Sequence, residues 1–191
     1  EMLTQVESLQ GVAFTGSLPT AKKIQSNLIE YQDQIIHLIA ETGGINCMLV
    51  DSSALLEQVT DDVVRSAFDS AGQRCSALRV LCIQEEIYEE LVEMIKGNMI
   101  IQKIGNPNEF DTDIGPIINI EALEKLNKYI EKFEMEGFDV FQASETSEKN
   151  YLSPTLISIN QISDIKNEQF GPILHVLKYT SSDTDKLIND I

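Results

Sequence analysis

Apolar residues in this chain fall into short continuous runs that are separated by longer segments with helical spacing. Runs bounded by Gly, Pro or polar residues predict β-strands, and these lie at residues 11–15, 35–40, 46–50, 78–84, 138–141, 155–159 and 173–179. The first strand is expected to be buried and to break into a turn at Gly16 and Ser17. The run at 78–84 is apolar almost throughout, as in a strand covered on both faces.

Between the strands, apolar residues recur three or four positions apart and predict amphipathic helices. Pro19 suits the first turn of one helix, and the side chains of residues 51–53 can cap a second helix that runs to about residue 70. Two further helices are expected at 85–96 and 121–136, and a polar loop at 144–150. Because strands and helices alternate, the pattern predicts an α/β fold with an open, mainly parallel sheet flanked by helices.

Composition narrows the possible partners. The 191 residues carry a net charge of −17, which repels phosphate backbones and argues against a nucleic-acid partner. No apolar run approaches the roughly 20 residues that cross a bilayer, so no integral membrane segment is expected. The length suits one buried domain, or one domain with part of another.

The histidines and cysteines are the first candidates for metal or covalent chemistry. His37 lies in an apolar run and is expected to be a hydrogen-bonded core residue, and Cys82 is expected to be a small core residue of its strand. Two distant histidines without a Cys-x-x-Cys pair argue against a zinc site. Three cysteines without an export signal favour free thiols in a reducing compartment, and we expect a cytoplasmic location.

Two motifs carry candidate chemistry. Cys75 lies among small and polar residues between a predicted helix and a predicted strand, and Glu41 precedes Gly43 and Gly44. A thiol and a carboxylate in flexible surroundings suggest covalent catalysis followed by hydrolysis. The alternatives are a buried structural thiol at Cys75 and a turn-capping role for Glu41.

A third motif is the strand, glycine turn and helix start at 11–19. The free amides and the dipole at a helix N-terminus favour an anion, so Gly16 and Ser17 are candidates for a phosphate contact. The motif lacks the full three-glycine dinucleotide fingerprint, and an ordinary strand-to-helix turn is the alternative.

Five motifs taken in order resemble the aldehyde dehydrogenase superfamily. They are Phe14-Thr15-Gly16-Ser17, Glu41-Thr42-Gly43-Gly44, Gly72-Gln73-Arg74-Cys75, the loop at 105–116, and Glu168-Gln169-Phe170-Gly171-Pro172. The segments 76–81 and 171–176 resemble more narrowly the glutamate-semialdehyde (1-pyrroline-5-carboxylate) dehydrogenase half of the bifunctional bacterial proline-utilisation enzyme. The resemblance implies a Rossmann-like catalytic domain and NAD(P)-dependent oxidation of an aldehyde, with glutamate semialdehyde in proline catabolism as the expected reaction.

The resemblance also implies a role for each matching residue. Cys75 would be the nucleophile, and Glu41 would activate the water that hydrolyses the thioester. Ser76 would hold the carboxylate of the substrate.

On the cofactor side, the resemblance implies that Gly16 and Ser17 lie at the pyrophosphate. Glu168 would hold the ribose hydroxyls of the nicotinamide, and Phe170 would pack against that end of the cofactor. For Phe170, a core aromatic before a Gly-Pro bend is the alternative. NAD is the expected cofactor, with NADP as the alternative, and no metal is expected.

The resemblance further implies domain boundaries. Residues 1–40 would be the C-terminal part of an NAD-binding domain, and residues 41–191 a catalytic domain that lacks its C-terminal end. The family's oxyanion-hole asparagine would lie upstream, so the chain alone is expected to be inactive. Ile45 departs from the family pattern, which has lysine after the two glycines.

The parent protein is expected to form a homo-oligomer and to carry a fused flavin-dependent proline dehydrogenase domain. A rival interpretation is a non-catalytic chain that keeps the fold for structural or interaction purposes. Retention of Cys75, Glu41 and Glu168 argues against it, because a scaffold needs none of them. A third is a family member that transfers the acyl group to coenzyme A, although Glu41 fits hydrolysis better.

Overall fold

A computed structural model describes residues 2–144 and 150–191, so most of the expected polar loop at 144–150 lies outside the described residues. The chain forms two compact units, Glu1–Gly44 and Ile45–Ile191. Glu41 therefore belongs to the first unit, whereas the boundary inferred from the resemblance places it in the second. Ile45 opens the second unit and packs against its hydrophobic core.

The first unit contains strand β1 (Gly11–Thr15), helix α1 (Leu18–Tyr31) and strand β2 (His37–Glu41), after a short 3-10 helix at Met2–Gln5. The two strands pair in parallel, with Thr15 opposite Glu41. Ser17 caps α1 by accepting a hydrogen bond from the Thr20 N–H, and Pro19 lies in the first turn as expected.

Two expectations for this unit are wrong. Strand β1 is not buried, because its residues alternate between exposed and half-buried. His37 begins β2 and is exposed, so it is not a core histidine. The physical reason is the small size of the sheet. Among the described residues of this unit, two strands and one long helix are too few to bury either strand on both of its faces.

The second unit is built on a five-stranded sheet in the order β3-β4-β7-β6-β5. All pairings are parallel except that of β5 with β6. The strand bounds are Cys47–Val50 for β3, Val80–Gln84 for β4, Val140–Gln142 for β5, Thr155–Ile159 for β6 and Ile173–Tyr179 for β7. Every residue of β4 is buried, including Cys82, which confirms a strand covered on both faces.

The helices of this unit are α2 (Leu56–Phe68), α3 (Tyr88–Ile101), α4 (Ile120–Met135) and α5 (Thr184–Asp190). The apolar stripe of α4 is confirmed, since Leu126, Ile130 and Phe133 are buried. The expected capping of α2 is wrong: this helix begins at Leu56 without a side-chain cap. Asp51 instead accepts bonds from the N–H and the hydroxyl of Ser53, which closes a turn before the helix.

The α/β class with a mainly parallel sheet is confirmed by this arrangement. Within residues 2–144 and 150–191, no helix combines the length and the apolar character that a membrane span requires. The same residues contain no cluster of three His, Cys, Asp or Glu side chains that could hold a metal ion.

Candidate functional site

The connection between α2 and β4 begins with an unusual backbone. Ser70, Ala71 and Gly72 all have positive φ angles, of 57°, 53° and 63°. Such values strain non-glycine residues and persist only where the surroundings hold them. A side chain at Gly72 would collide with the carbonyl group of Gly171, so the turn packs against the segment that precedes β7. The strained turn thus places the following residues at a fixed point beside β7.

Cys75 follows this turn, and its side chain is exposed. The side-chain amide of Asn46 donates to the carbonyls of Cys75, at 2.8 Å, and Ala77, at 2.9 Å. The carbonyl of Asn46 accepts from the N–H groups of Arg79 and Val80. The thiol is therefore open to solvent while its backbone is held from β3. Sequence reasoning missed Asn46, whose only signal is a polar residue at the start of an apolar strand.

Gln73 ties the same connection to a second loop. Its side-chain amide donates to the carbonyl of Pro116 at 3.1 Å, and its oxygen accepts from the N–H of Ile118 at 2.9 Å. Two of the sequence motifs, at 72–75 and 105–116, are thus in contact.

Arg79 links the Cys75 connection to Glu168. Its guanidinium is 1% exposed, and Nη2 donates to the Arg74 carbonyl at 3.1 Å and to Glu168 Oε1 at 3.2 Å. Nη1 donates to the Gly171 carbonyl at 3.1 Å. Desolvation lowers the pKa of Arg79, and the charge of Glu168 opposes that shift. Sequence reasoning gave this residue no role: it lies inside the strand predicted at 78–84, but nothing next to it in the sequence indicates its partners Glu168 and Gly171.

Glu168 and Phe170 lie on the segment that leads into β7. The Glu168 carboxylate is 20% exposed, and the described part of the chain offers its second oxygen no hydrogen-bond donor. Phe170 is 46% exposed, with its ring centroid 5.5 Å from the Arg79 guanidinium carbon. One carboxylate oxygen and one aromatic face therefore remain open to a ligand.

These residues gather at one edge of the sheet. Cys75 precedes β4 and Glu168 precedes β7, and the two strands are parallel neighbours. The site therefore lies at the amino ends of these strands. The usual ligand crevice of open α/β sheets lies instead at the carboxyl ends.

His175 is the buried, hydrogen-bonded histidine of the chain. It is 1% exposed, and burial lowers its pKa to about 4, so the ring is neutral at pH 7. Nδ1 lies 2.9 Å from the carbonyl of Arg79, which can only accept, so Nδ1 carries the ring proton. Nε2 then accepts from the hydroxyl of Tyr129 at 2.9 Å.

Ser76 is exposed and lines an open cleft of about 250 Å³. The cleft is polar and carries both charges, with Arg65, Arg74, Asp62 and Asp69 in its wall. Arg74 donates to the carbonyl of Arg65 and lies 4.0 Å from Asp69. An anionic group in this cleft would meet hydroxyl and guanidinium donors, together with the opposing charges of Asp62 and Asp69.

In the first unit, the sequence-predicted residues meet at the carboxyl ends of β1 and β2. The Gly16 N–H donates to the carbonyl of Glu41 at 3.0 Å, and Ser17 caps the helix that follows. The exposed N-terminus of α1 has the dipole that favours a phosphate group, but its amides are partly used: Gly16 and Thr20 are hydrogen-bonded and Pro19 has no N–H, so the N–H groups of Ser17 and Leu18 are the donors left for it. The residues present thus fit a phosphate of the expected cofactor, and the exposed carboxylate of Glu41 lies on the same edge.

The other cysteines differ from Cys75 in exposure. Cys47 is half-buried and burial raises its pKa, while burial raises the pKa of Cys82 to about 12. All three thiols are free.

Comparison with known proteins gives a consistent result. The model of the aldehyde dehydrogenase family matches residues 1–190. The bifunctional protein PutA of Klebsiella aerogenes is 46% identical over 200 aligned positions, which cover 99% of this chain and 15% of that protein. A 1-pyrroline-5-carboxylate dehydrogenase of Oceanobacillus iheyensis is 32% identical over 178 positions, or 90% of this chain and 35% of that protein.

Among solved structures, proline utilization A of Bradyrhizobium japonicum superposes with a TM-score of 0.94 at 40% identity. The match covers 99% of this chain and 19% of that one. The chain therefore spans about 15% of the length of the PutA relative and about a third of the length of the dehydrogenase relative.

Proposed function

Because this chain belongs to the aldehyde dehydrogenase family, we propose that it carries the nucleophile of an enzyme that oxidises an aldehyde to a carboxylate. The single observation that supports this best is the exposed thiol of Cys75 on a backbone held by Asn46. A structural thiol needs no exposure, and a flexible surface thiol needs no such support. The rival view of a non-catalytic chain explains neither feature.

The first chemical step belongs to Cys75. Its thiolate adds to the aldehyde carbon, a C–S bond forms, and the carbonyl π electrons move to oxygen. The described part of the chain gives the Cys75 N–H no acceptor, so this donor is free to stabilise the resulting oxyanion. When that same carbon then loses a hydride, the C=O bond forms again and a thioester remains on Cys75.

A nicotinamide cofactor, when bound, supplies the acceptor for that hydride. We assign Glu168 to the ribose hydroxyls, since one of its carboxylate oxygens is fixed by Arg79 and the other is open. Phe170 offers an exposed ring beside it. Gly16 and Ser17 are assigned to the pyrophosphate, on the exposed N-terminus of α1. NAD is the proposed cofactor, and NADP is the alternative that a binding titration distinguishes.

Glu41 is assigned as the general base of the second half-reaction. It would take one proton from water as that water attacks the thioester. The C–S bond then breaks to restore the thiolate and release the carboxylic acid, which loses its own proton to solvent and leaves as the carboxylate. General-base catalysis of this kind is worth on the order of 10²–10⁴ in rate. Hydrolysis at Glu41 also distinguishes this proposal from transfer to coenzyme A.

The proposed substrate is glutamate semialdehyde, the open form of 1-pyrroline-5-carboxylate, in proline catabolism. The dehydrogenase relative named above supports this choice. Ser76 in the polar cleft, with Arg65 and Arg74 in the same wall, provides donors for the substrate carboxylate. A cytoplasmic homo-oligomer with a fused flavin-dependent proline dehydrogenase domain remains the proposed setting.

The test uses the natural protein that contains these residues, with NAD and glutamate semialdehyde. Cys75→Ser is expected to lower kcat at least about 10³-fold, because a neutral hydroxyl replaces the thiolate. Cys47→Ser serves as the matched control with unchanged kcat. Glu41→Gln is expected to accumulate the acylated Cys75 peptide, which mass spectrometry detects. Full activity of Cys75→Ser would overturn the proposal.

A further inference from the structure

Among the described residues, Arg79 is the largest fully buried side chain, and its guanidinium contacts separate segments of the second unit. It donates to the carbonyl of Arg74, directly before Cys75. It also donates to the Glu168 carboxylate and the Gly171 carbonyl, on the segment before β7. One side chain therefore joins the thiol loop, residues 73–78, to the segment assigned to the cofactor ribose.

The geometry of these contacts requires arginine. Three acceptors in different directions suit the planar fork of a guanidinium, whereas the ammonium group of lysine has its donors on one nitrogen. Glu168 also supplies the negative charge that a buried guanidinium needs. Loss of either partner leaves the other charge uncompensated.

The backbone of Arg79 is held as firmly as its side chain. Its N–H donates to the Asn46 carbonyl at 3.0 Å. Its carbonyl accepts from both the N–H and the Nδ1 of His175. Because strands β3 and β7 fix the main chain on both sides, a displacement of Glu168 cannot be absorbed by movement of the Arg79 backbone.

We propose that Arg79 is a positioning residue through which a ligand at Glu168 controls the order of the thiol loop. The inference rests on the function proposed above, which assigns Glu168 to the cofactor. A nucleotide ribose bonded to Glu168 fixes that carboxylate, and the shared Nη2 of Arg79 then holds the Arg74 carbonyl more rigidly. By reciprocity, a loosened loop weakens nucleotide binding. Arg79 itself contacts neither the substrate nor the cofactor.

The first experiment measures hydrogen exchange without any ligand in the natural protein that contains these residues. Three amides of the thiol loop report its order: Ala77 is bonded to the Arg74 carbonyl inside the loop, Gln73 to the Ser70 carbonyl before it, and Leu78 to the Ser66 carbonyl of α2. Arg79→Lys and Glu168→Ala are both expected to speed their exchange about tenfold, since each removes a charged hydrogen bond. Glu89→Ala, which breaks an exposed ion pair with Lys178, is the matched control with exchange within about twofold.

The second experiment repeats the measurement with saturating NAD. Slower exchange of the thiol loop in the wild type, by at least about threefold, and no slowing in Arg79→Lys support the proposal. Equal slowing in both proteins would overturn the coupling. If the wild type does not bind NAD, the cofactor assignment fails, and the ligand-free comparison still decides the role of Arg79.

A folding defect does not remove the test. Glu168→Ala leaves the charge of Arg79 without its carboxylate, but the Arg74 and Gly171 carbonyls still accept from the guanidinium, so this variant carries the ligand-free measurement where Arg79→Lys does not fold. Unchanged exchange of the thiol loop in folded Glu168→Ala would show that Arg79 only fills the core.

Discussion

The carbonyl oxygen of Arg79 accepts two hydrogen bonds from His175, one from the backbone N–H and one from ring Nδ1, each 2.9 Å long. The backbone bond belongs to the pairing of β4 with β7. The ring bond adds a second link at the same carbonyl, on the residue whose guanidinium holds Glu168. A buried neutral imidazole is thus part of the support of the candidate site.

This arrangement makes stability depend on pH. The pKa of His175 is lowered from 6.5 to about 4 by burial, so the unfolded chain binds more protons between these values. The stabilisation from the neutral ring is complete above pH 6.5 and is lost as pH falls towards 4. We expect about 2 kcal/mol of this loss between pH 7 and pH 5, measured by urea denaturation.

The control for that prediction is His175→Asn. An asparagine amide can still donate to the Arg79 carbonyl but does not titrate, so the difference in slope between wild type and variant isolates the histidine. Parallel pH profiles for the two proteins would contradict the prediction.

Tyr129→Phe should lower the free energy of unfolding by about 1–3 kcal/mol at pH 7, because it leaves His175 Nε2 without its hydrogen-bond donor.

The three thiols should react in the order of their exposure. Cys75 is exposed, Cys47 is half-buried with a raised pKa, and Cys82 is buried with a pKa near 12. Iodoacetamide at pH 8 should modify Cys75 first, Cys47 at least about tenfold more slowly, and Cys82 only on unfolding. Peptide mapping over time measures the three rates, with Cys75→Ser as the control. Modification of Cys82 in the folded protein would refute the assignment of the core.

Gly72 should tolerate no side chain. An alanine there adds a Cβ that collides with the Gly171 carbonyl and must also adopt φ of +63°. We expect Gly72→Ala to cost more than about 3 kcal/mol of unfolding free energy, or to prevent folding.

Gly137→Ala is its matched control, because Gly137 has φ of +85° but open space around it. Only the backbone penalty applies there, about 1–2 kcal/mol. Thermal or urea denaturation compares the two variants, and equal costs would show that the contact with Gly171 contributes nothing.

Asn46 should prove essential for the thiol loop although it contains no reactive group. Asn46→Asp replaces an amide that donates to two carbonyls by an oxygen that repels both. We expect kcat in the natural protein to fall about 10–100-fold while the protein stays folded. Asn46→Ala, which removes the donor without repulsion, should lie between the wild type and Asn46→Asp. An unchanged kcat in Asn46→Asp would exclude a positioning role.

The sequence predicted the central sheet well because its signal is local. Apolar runs such as those of β6 and β7 have few alternatives to burial, and the observed bounds of both strands match the expected ones. The helical stripe of α4 is equally local. The family follows from short motifs whose residues are adjacent in the chain.

The errors arose where local context is ambiguous. His37 and His175 both lie in apolar runs, and their burial depends on the sheet that each strand joins. His175 lies in β7, between β4 and β6, whereas β2 pairs only with β1 among the described strands. Arg79 and Asn46 were missed because most of their hydrogen-bond partners are distant in the sequence. The partners of Arg79 lie 5 to 92 residues away, and those of Asn46 lie 29 residues away or more.

The pairing of β4 with β7 also sets the time at which this site can exist. Arg79 and Glu168 are 89 residues apart in the chain. At roughly 5–20 residues per second, a ribosome needs about 4–18 seconds to add the second after the first. During that interval Arg79, directly after the thiol loop, lacks its carboxylate partner, and β4 has β3 but not β7 beside it. Order around Cys75 therefore arrives late in biosynthesis, well after the nucleophile itself.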